Sequence, residues 1–179
     1  TAATRATAEP SGVNLIGLLS AQLGVGEHAR LAARSFRDAR VPFAVVDHDD
    51  TVNERDPGLL RDLGATGTGC RYDVDLVLVN ADQTRRALDR YDRPGRRGRP
   101  TLAVWAWEVC TFPERMHAAF DDVDEVWGLS DFVRAALAPA AAEHGVQVLR
   151  FPIQLPTVRP PVDRSVTGPL VATLGLDPQ

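Results

Sequence analysis

The chain has 179 residues, enough for one domain with a proper core and little beyond it. Its formal charge is −4 and all 20 basic residues are arginine, so no general attraction to nucleic acid is implied. Cys70 and Cys110 lie far apart without CxxC spacing, which supports neither a zinc site nor a disulfide scaffold, and no stretch reads as a spanning segment or signal peptide.

Residues 1 to 11 are small, polar and proline-terminated, which predicts a flexible leader. Residues 13 to 33 then form the unit around which the rest is organised. Val13, Leu15, Ile16, Leu18 and Leu19 suit a parallel core strand. Gly24 and Gly26 predict a turn whose backbone another molecule can approach. Glu27 opens a helix at the positive end of its dipole, running to about Ala39. Free N–H groups at such a helix start suit phosphate, although tight packing alone also accounts for glycine there.

Residues 41 to 46 predict a second strand, ending in Asp47, His48, Asp49 and Asp50. A polar, glycine-rich passage to Arg71 holds one short helix near 57 to 63. Residues 75 to 80 read as a buried strand, with Asp82 capping a helix through Tyr91. A basic loop over 93 to 100 precedes a strand at 101 to 107. A helix over 112 to 120 carries Pro113 in its first turn, and 125 to 129 is a strand. Ser130 caps a helix over 131 to 144 that stops at Gly145, and 146 to 151 is the last strand.

Strand and helix thus alternate about six times, which predicts an α/β fold: a Rossmann-like parallel sheet with helices on both faces. This domain is expected over residues 12 to 154. The proline-rich stretch from 155 to 179 is expected to be a linker and the start of a second domain. In such sheets ligands gather beyond the carboxyl ends of the strands. There lie the glycine turn, Asp47 to Asp50, Asn80 to Asp82, Trp107 to Thr111, and Ser130.

Gly24 to Ala29 matches the dinucleotide pattern GxGxxA, and Asp47 stands where a ribose-binding acid would. Four residues, Ser20 to Leu23, intervene before the first glycine, which argues for a different ligand geometry. Asp47 to Asp50 is either a metal cluster or a solvated loop, and contiguous spacing lets few of these side chains converge. Trp105 and Trp107 share one strand face, with Glu108 at the strand end as a hydrogen-bond acceptor for hydroxyls or as a base. Core packing with a capping acid is the plainer account. Cys110 lacks any histidine partner that would make it a nucleophile.

Four segments carry a family resemblance: GLLSAQLGVGEHAR at 17 to 30, VNADQ at 79 to 83, WAWEVCTFPERM at 105 to 116, and VDEVWGLSDFVRAAL at 123 to 137. In order and spacing the chain resembles the N-terminal half of retaining glycosyltransferases of the large family-four type. Those enzymes have the GT-B architecture of two Rossmann-like domains. The resemblance implies an acceptor-side domain, with a hexose moved from a nucleotide sugar to a glycan or lipid-linked acceptor. It implies that Gly24 and Gly26 contact donor phosphate or sugar, with Glu27 and Arg30 shaping that turn. Asn80, Asp82, Trp107 and Ser130 fall on the acceptor side, and Glu108 is the catalytic candidate.

The same resemblance implies no metal and no cofactor beyond the donor substrate. The basic clamp and paired acids of the family belong to a C-terminal domain, so residues 1 to 179 alone are expected to be nearly inactive. A cytoplasmic location is implied, with the longer protein associating peripherally at the inner face of a membrane. A bulky residue at Gly26 is expected to impair donor use without unfolding the domain. The competing readings are a non-catalytic Rossmann-like binding module and a dinucleotide-binding oxidoreductase domain.

Overall fold

The computed structural model describes residues 11–91 and 99–151. All but the last residue of the expected leader, most of the basic loop, and the expected linker with the start of a second domain lie outside the described residues. Seven strands form one sheet: β1 (Val13–Gly17), β2 (Phe43–Asp47), β3 (Gly67–Thr68), β4 (Val74–Leu78), β5 (Thr101–Trp105), β6 (Glu125–Gly128) and β7 (Gln147–Arg150). Their order is β3-β2-β1-β4-β5-β6-β7, every pairing parallel. The order reverses between β1 and β4, which creates the switch point where such sheets open a crevice. The chain is an α/β protein with a Rossmann-like fold.

Alternation along each strand explains why both faces are covered. Leu15, Val45, Leu76, Leu78 and Val104 point to one face and bury Ala29, Ala32 and Ala33 of helix α1 (Gly24–Asp38). Ile16, Val46 and Val77 point to the other and meet Ala87 and Leu88 of helix α2 (Ala81–Arg90). Further along that second face, Ala103, Trp105 and Val126 pack on Phe112, Phe120 and Leu137. These come from the β5–β6 connection and from helix α3 (Asp131–Glu143). Trp105 is fully buried, and its indole N–H donates to the Thr84 hydroxyl at 3.0 Å. The core therefore carries no unanswered indole.

Several boundaries differ from the sequence expectation for identifiable reasons. Strand β3 forms inside the polar passage because Gly67 and Thr68 add to β2 at Ala44 and Val45, a long-range pairing with little local signal. The cap position of α2 is Asn80, and Asp82 sits in its first turn. The helix expected over 112 to 120 is a 3-10 segment, Glu114–Asp122, with Pro113 at its cap position. The strand expected through Trp107 ends at Trp105, so Trp107 stands beyond the ladder. Ser130 caps α3 as expected, its hydroxyl accepting from the Val133 N–H at 3.2 Å, and Gly145 ends that region at φ +70°.

At the amino end of the sheet the fold buries a polar network that no local pattern announces. Asn14 is fully buried on β1; its amide donates to Asp75 Oδ1 at 2.6 Å and to the Tyr72 carbonyl at 2.8 Å. Its carbonyl oxygen accepts from the Arg71 and Tyr72 N–H groups at 2.7 and 2.8 Å. One side chain thereby closes the turn that feeds β4.

Candidate functional site

Six residues, 18 to 23, separate the end of β1 from the start of α1. They are tied down from outside by the 54–56 segment. Ala21 bridges Arg55, the Gln22 N–H donates to the Glu54 carbonyl at 2.9 Å, and the Asp56 N–H donates to the Ser20 carbonyl at 2.8 Å. From beneath, the buried Arg30 guanidinium donates to the carbonyls of Leu19 and Ala21 at 2.7 and 3.0 Å. Its charge is met by Glu27 at 2.8 Å, which also takes Arg34 at 2.9 Å. Burial works to raise the Glu27 carboxyl, but the hydrogen bonds from Arg30 and Arg34 prevail and hold it below its ordinary value. Arg30 is thus a clasp for the loop, with its guanidinium turned inward onto main-chain oxygens.

The two glycines expected in a turn lie instead in the first turn of α1, which opens at Gly24 rather than at Glu27, and they have different duties. Gly26 is buried, and a Cβ there would stand 2.6 Å from the carbonyl oxygens of both Leu18 and Ala21. Its bareness lets α1 press against its own loop, which corrects the expectation that a bulky residue is tolerated there without cost to the fold. Gly24 is exposed at the first position of α1, with nothing within 4 Å of where its Cβ would be. Leu23 at the cap position supplies no side-chain hydrogen bond. The backbone open to a ligand is therefore at Gly24, on a helix start whose N–H groups lack a capping side chain.

The Asp47 to Asp50 segment diverges. Asp47 accepts from the Ser20 N–H at 2.9 Å through one oxygen and pairs with Arg55 at 2.7 Å through the other. Arg55 also reaches the Ser20 hydroxyl at 2.9 Å. A carboxylate committed in this way is not offered to a ribose. Asp49 pairs with Arg90 and Asp50 with Arg86, both at 2.6 Å, and the Tyr91 hydroxyl donates to the Asp47 carbonyl at 2.7 Å. Among the described residues no three His, Cys, Asp or Glu side chains are arranged to hold a metal ion. Arg55 is the residue that sequence reasoning missed, because its partners sit 35 and 8 positions away.

Beneath this latch His48 is fully buried, and neither ring nitrogen has a hydrogen-bond partner. Its ring meets the edge of Tyr91, with Asp49, Asp50, Arg86 and Arg90 around it. Burial is the main reason its pKa lies below 6.5; the two acids oppose that shift and the two arginines add to it. The unfolded chain therefore takes up a proton near pH 6.5 that the folded chain resists, so stability is complete above that pH and declines below it. Melting curves between about pH 7 and about pH 5.5 are expected to show this decline, and His48→Phe should flatten it. An unchanged slope in the variant would remove His48 as the cause.

On the other side of the switch point, Asn80 Oδ1 accepts from the Ala106 N–H at 3.2 Å, which ties the ends of β4 and β5 together. Trp107 is half-buried; its indole N–H donates to the Thr111 carbonyl at 3.1 Å and its ring meets the edge of Phe112 at 5.2 Å. Glu108 is exposed, with no hydrogen bond or ion pair among the described residues. The Ser130 hydroxyl is occupied as the α3 cap. Asp82 is exposed on α2 and lines a cleft of about 270 Å³ between α2 and the Glu114–Asp122 segment.

Gly24, Asn80, Glu108 and Ser130 thus follow the carboxyl ends of β1, β4, β5 and β6, neighbours in the sheet. Three strand spacings separate the first from the last, about 14 Å. Of these, Gly24 and Glu108 present groups to the outside, whereas Asn80 and Ser130, like the nearby Arg30, spend theirs on the fold. No described helix is long and apolar enough to cross a membrane. No family model, curated protein or solved structure matches the chain.

Proposed function

We propose that this chain is the acceptor-side wall of a retaining glycosyltransferase of the family-four type. In this reading it works with a second domain to move a hexose from a nucleotide sugar to a glycan or lipid-linked acceptor. The observation that carries the reading is the contrast at the switch point. The helix start at Gly24 is open and uncapped, while Asp47, which a dinucleotide site would spend on ribose, is locked by Ser20 and Arg55. That combination favours a diphosphate approached from across a cleft over a dinucleotide lying in this domain.

Within this reading the α1 N–H groups face the donor diphosphate, and rate arises from positioning the acceptor and stabilising the leaving group. Glu108, exposed and without a hydrogen bond or ion pair among the described residues, accepts the hydrogen bond of the attacking hydroxyl. Trp107 beside it is braced by Phe112 and Thr111 and offers a fixed apolar wall.

The test is release of nucleoside diphosphate from a panel of nucleotide sugars by the longer protein with its second domain. Turnover is expected there and not from residues 1 to 179 alone. Glu108→Gln is expected to lower kcat about 100-fold, within the usual range for a proton-transfer group. Turnover unchanged by Glu108→Gln would strip that residue of its role. Turnover by residues 1 to 179 alone would overturn the two-wall arrangement. A non-catalytic binding module is the second reading, favoured by the structural commitments of Arg30, Asn80 and Ser130. Ligand binding with no turnover by the longer protein would select it.

A further inference from the structure

The cleft between α2 and the Glu114–Asp122 segment is separate from the glycine turn, and its lining has a definite chemical character. Ala81 and Ala119 are nearly buried and, with half-buried Met116, make an apolar floor. Four charged side chains surround it: Asp82 and Arg85 from α2, Arg115 and Asp122 from the facing wall. Arg85 and Asp122 answer each other at 2.8 Å. Asp82 lies within the electrostatic reach of Arg86, but neither it nor Arg115 forms a hydrogen bond or close ion pair among the described residues, so a carboxylate and a guanidinium with open hydrogen-bonding capacity line the same space. Acids and guanidiniums balance in number, which disfavours a strongly charged ligand of either sign.

A pyranose has the complementary chemistry. Its hydroxyls donate to a carboxylate and accept from a guanidinium, and its C–H face lies well on alanine and methionine. At about 270 Å³ the cleft falls just under the roughly 300–1,000 Å³ of pockets that hold drug-sized molecules, a size for one or two sugar rings. It also adjoins the acceptor edge. Ala81 follows Asn80, whose side chain holds the Ala106 N–H one residue before Trp107.

We propose that this cleft is a saccharide subsite, taking a neutral hexose unit of the acceptor beyond the one that reacts. Its assignment to the acceptor rests on the transfer reading; the binding of a neutral sugar there does not. The test is a two-dimensional amide NMR titration of the 179-residue chain with the methyl glycosides of glucose, mannose and galactose at millimolar concentration. Inorganic phosphate serves as the anionic comparison. Saturable shifts of the amides of residues 81–85 and 115–122 are expected with at least one glycoside. Arg115→Ala, at an exposed side chain with no hydrogen bond or ion pair among the described residues, is expected to weaken binding about tenfold or more while the rest of the spectrum is unchanged. Asp82→Asn should do so more mildly.

Absence of shifts there with all three glycosides would overturn the subsite, as would shifts produced by phosphate alone. Turnover by the longer protein with a silent cleft would overturn this inference and leave the transfer reading intact. A sugar bound in the cleft of a longer protein that turns over no nucleotide sugar would do the reverse.

Discussion

Gly26→Val is expected to lower the melting temperature by roughly 10 °C, while Gly24→Val two residues earlier leaves it near the parent value. The reason is the difference in surroundings. At Gly26 a Cβ would lie 2.6 Å from two carbonyl oxygens, those of Leu18 and Ala21. Those oxygens cannot swing away cheaply, because Arg30 holds the Ala21 carbonyl and the Ala21 N–H donates to the Leu18 carbonyl at 3.0 Å. The loop has to move as a block, a cost at the upper end of the range for overpacking, about 3 kcal/mol. At Gly24 nothing stands within 4 Å. Valine there would instead shield the N–H groups of the first turn, so if the proposed transfer reading holds, its expected effect in the two-domain enzyme is a raised KM for the nucleotide sugar. Thermal unfolding by circular dichroism and donor kinetics separate the two outcomes. A Gly26→Val protein melting with the parent would show that the loop is looser than the contacts around it imply.

Asn14→Leu is expected to be the most damaging single change in the sheet. Leucine keeps the branching of the side chain, with somewhat greater bulk, but leaves the Arg71 and Tyr72 N–H groups without their acceptor and Asp75 without its amide donor. Each buried polar group stranded in this way costs about 1–3 kcal/mol, and with partial rescue by water a loss of about 3–5 kcal/mol follows. Against a domain stability of about 5–15 kcal/mol, that is a large share. Urea unfolding measures it. Asn14→Asp tests the same network differently, since it sets a second carboxyl against Asp75. Two carboxyls so close share a proton, so the variant should regain stability as the pH falls from about 7 to about 5. If Asn14→Leu lost less than about 1 kcal/mol, the network would not hold the amino end of β4.

The strands and helices were legible because their signals are local. Val13 to Leu19 and Asp75 to Val79 are apolar runs that mark buried parallel strands in any context. The three α-helices announced themselves by alanine-rich or charged faces, and α3 also by Ser130 and Gly145 at its ends. Strand β3 was illegible because two residues, one of them glycine, pair only where β2 offers a free edge. Trp107 was placed in a strand it leaves because its indole N–H finds the Thr111 carbonyl beyond the end of β5.

The candidate site divides along the same line. That Gly24, Asn80, Glu108 and Ser130 stand at strand ends followed from the alternation of elements, since a parallel sheet puts every βα turn on one edge. What each group is free to do did not follow. Hydrogen bonds from distant residues claimed Asp47 through Arg55, and contacts across its own loop claimed Gly26 through the Leu18 and Ala21 carbonyls. The amino-acid order by itself therefore determined the class of fold and which sheet edge the candidate residues share, because periodicity and turn chemistry act over a few residues. Only the tertiary structure decided which backbone stays bare and which acids stay unpaired. Those outcomes depend on how separate elements and loops meet in space, and a polar group buried without a partner is too costly to keep.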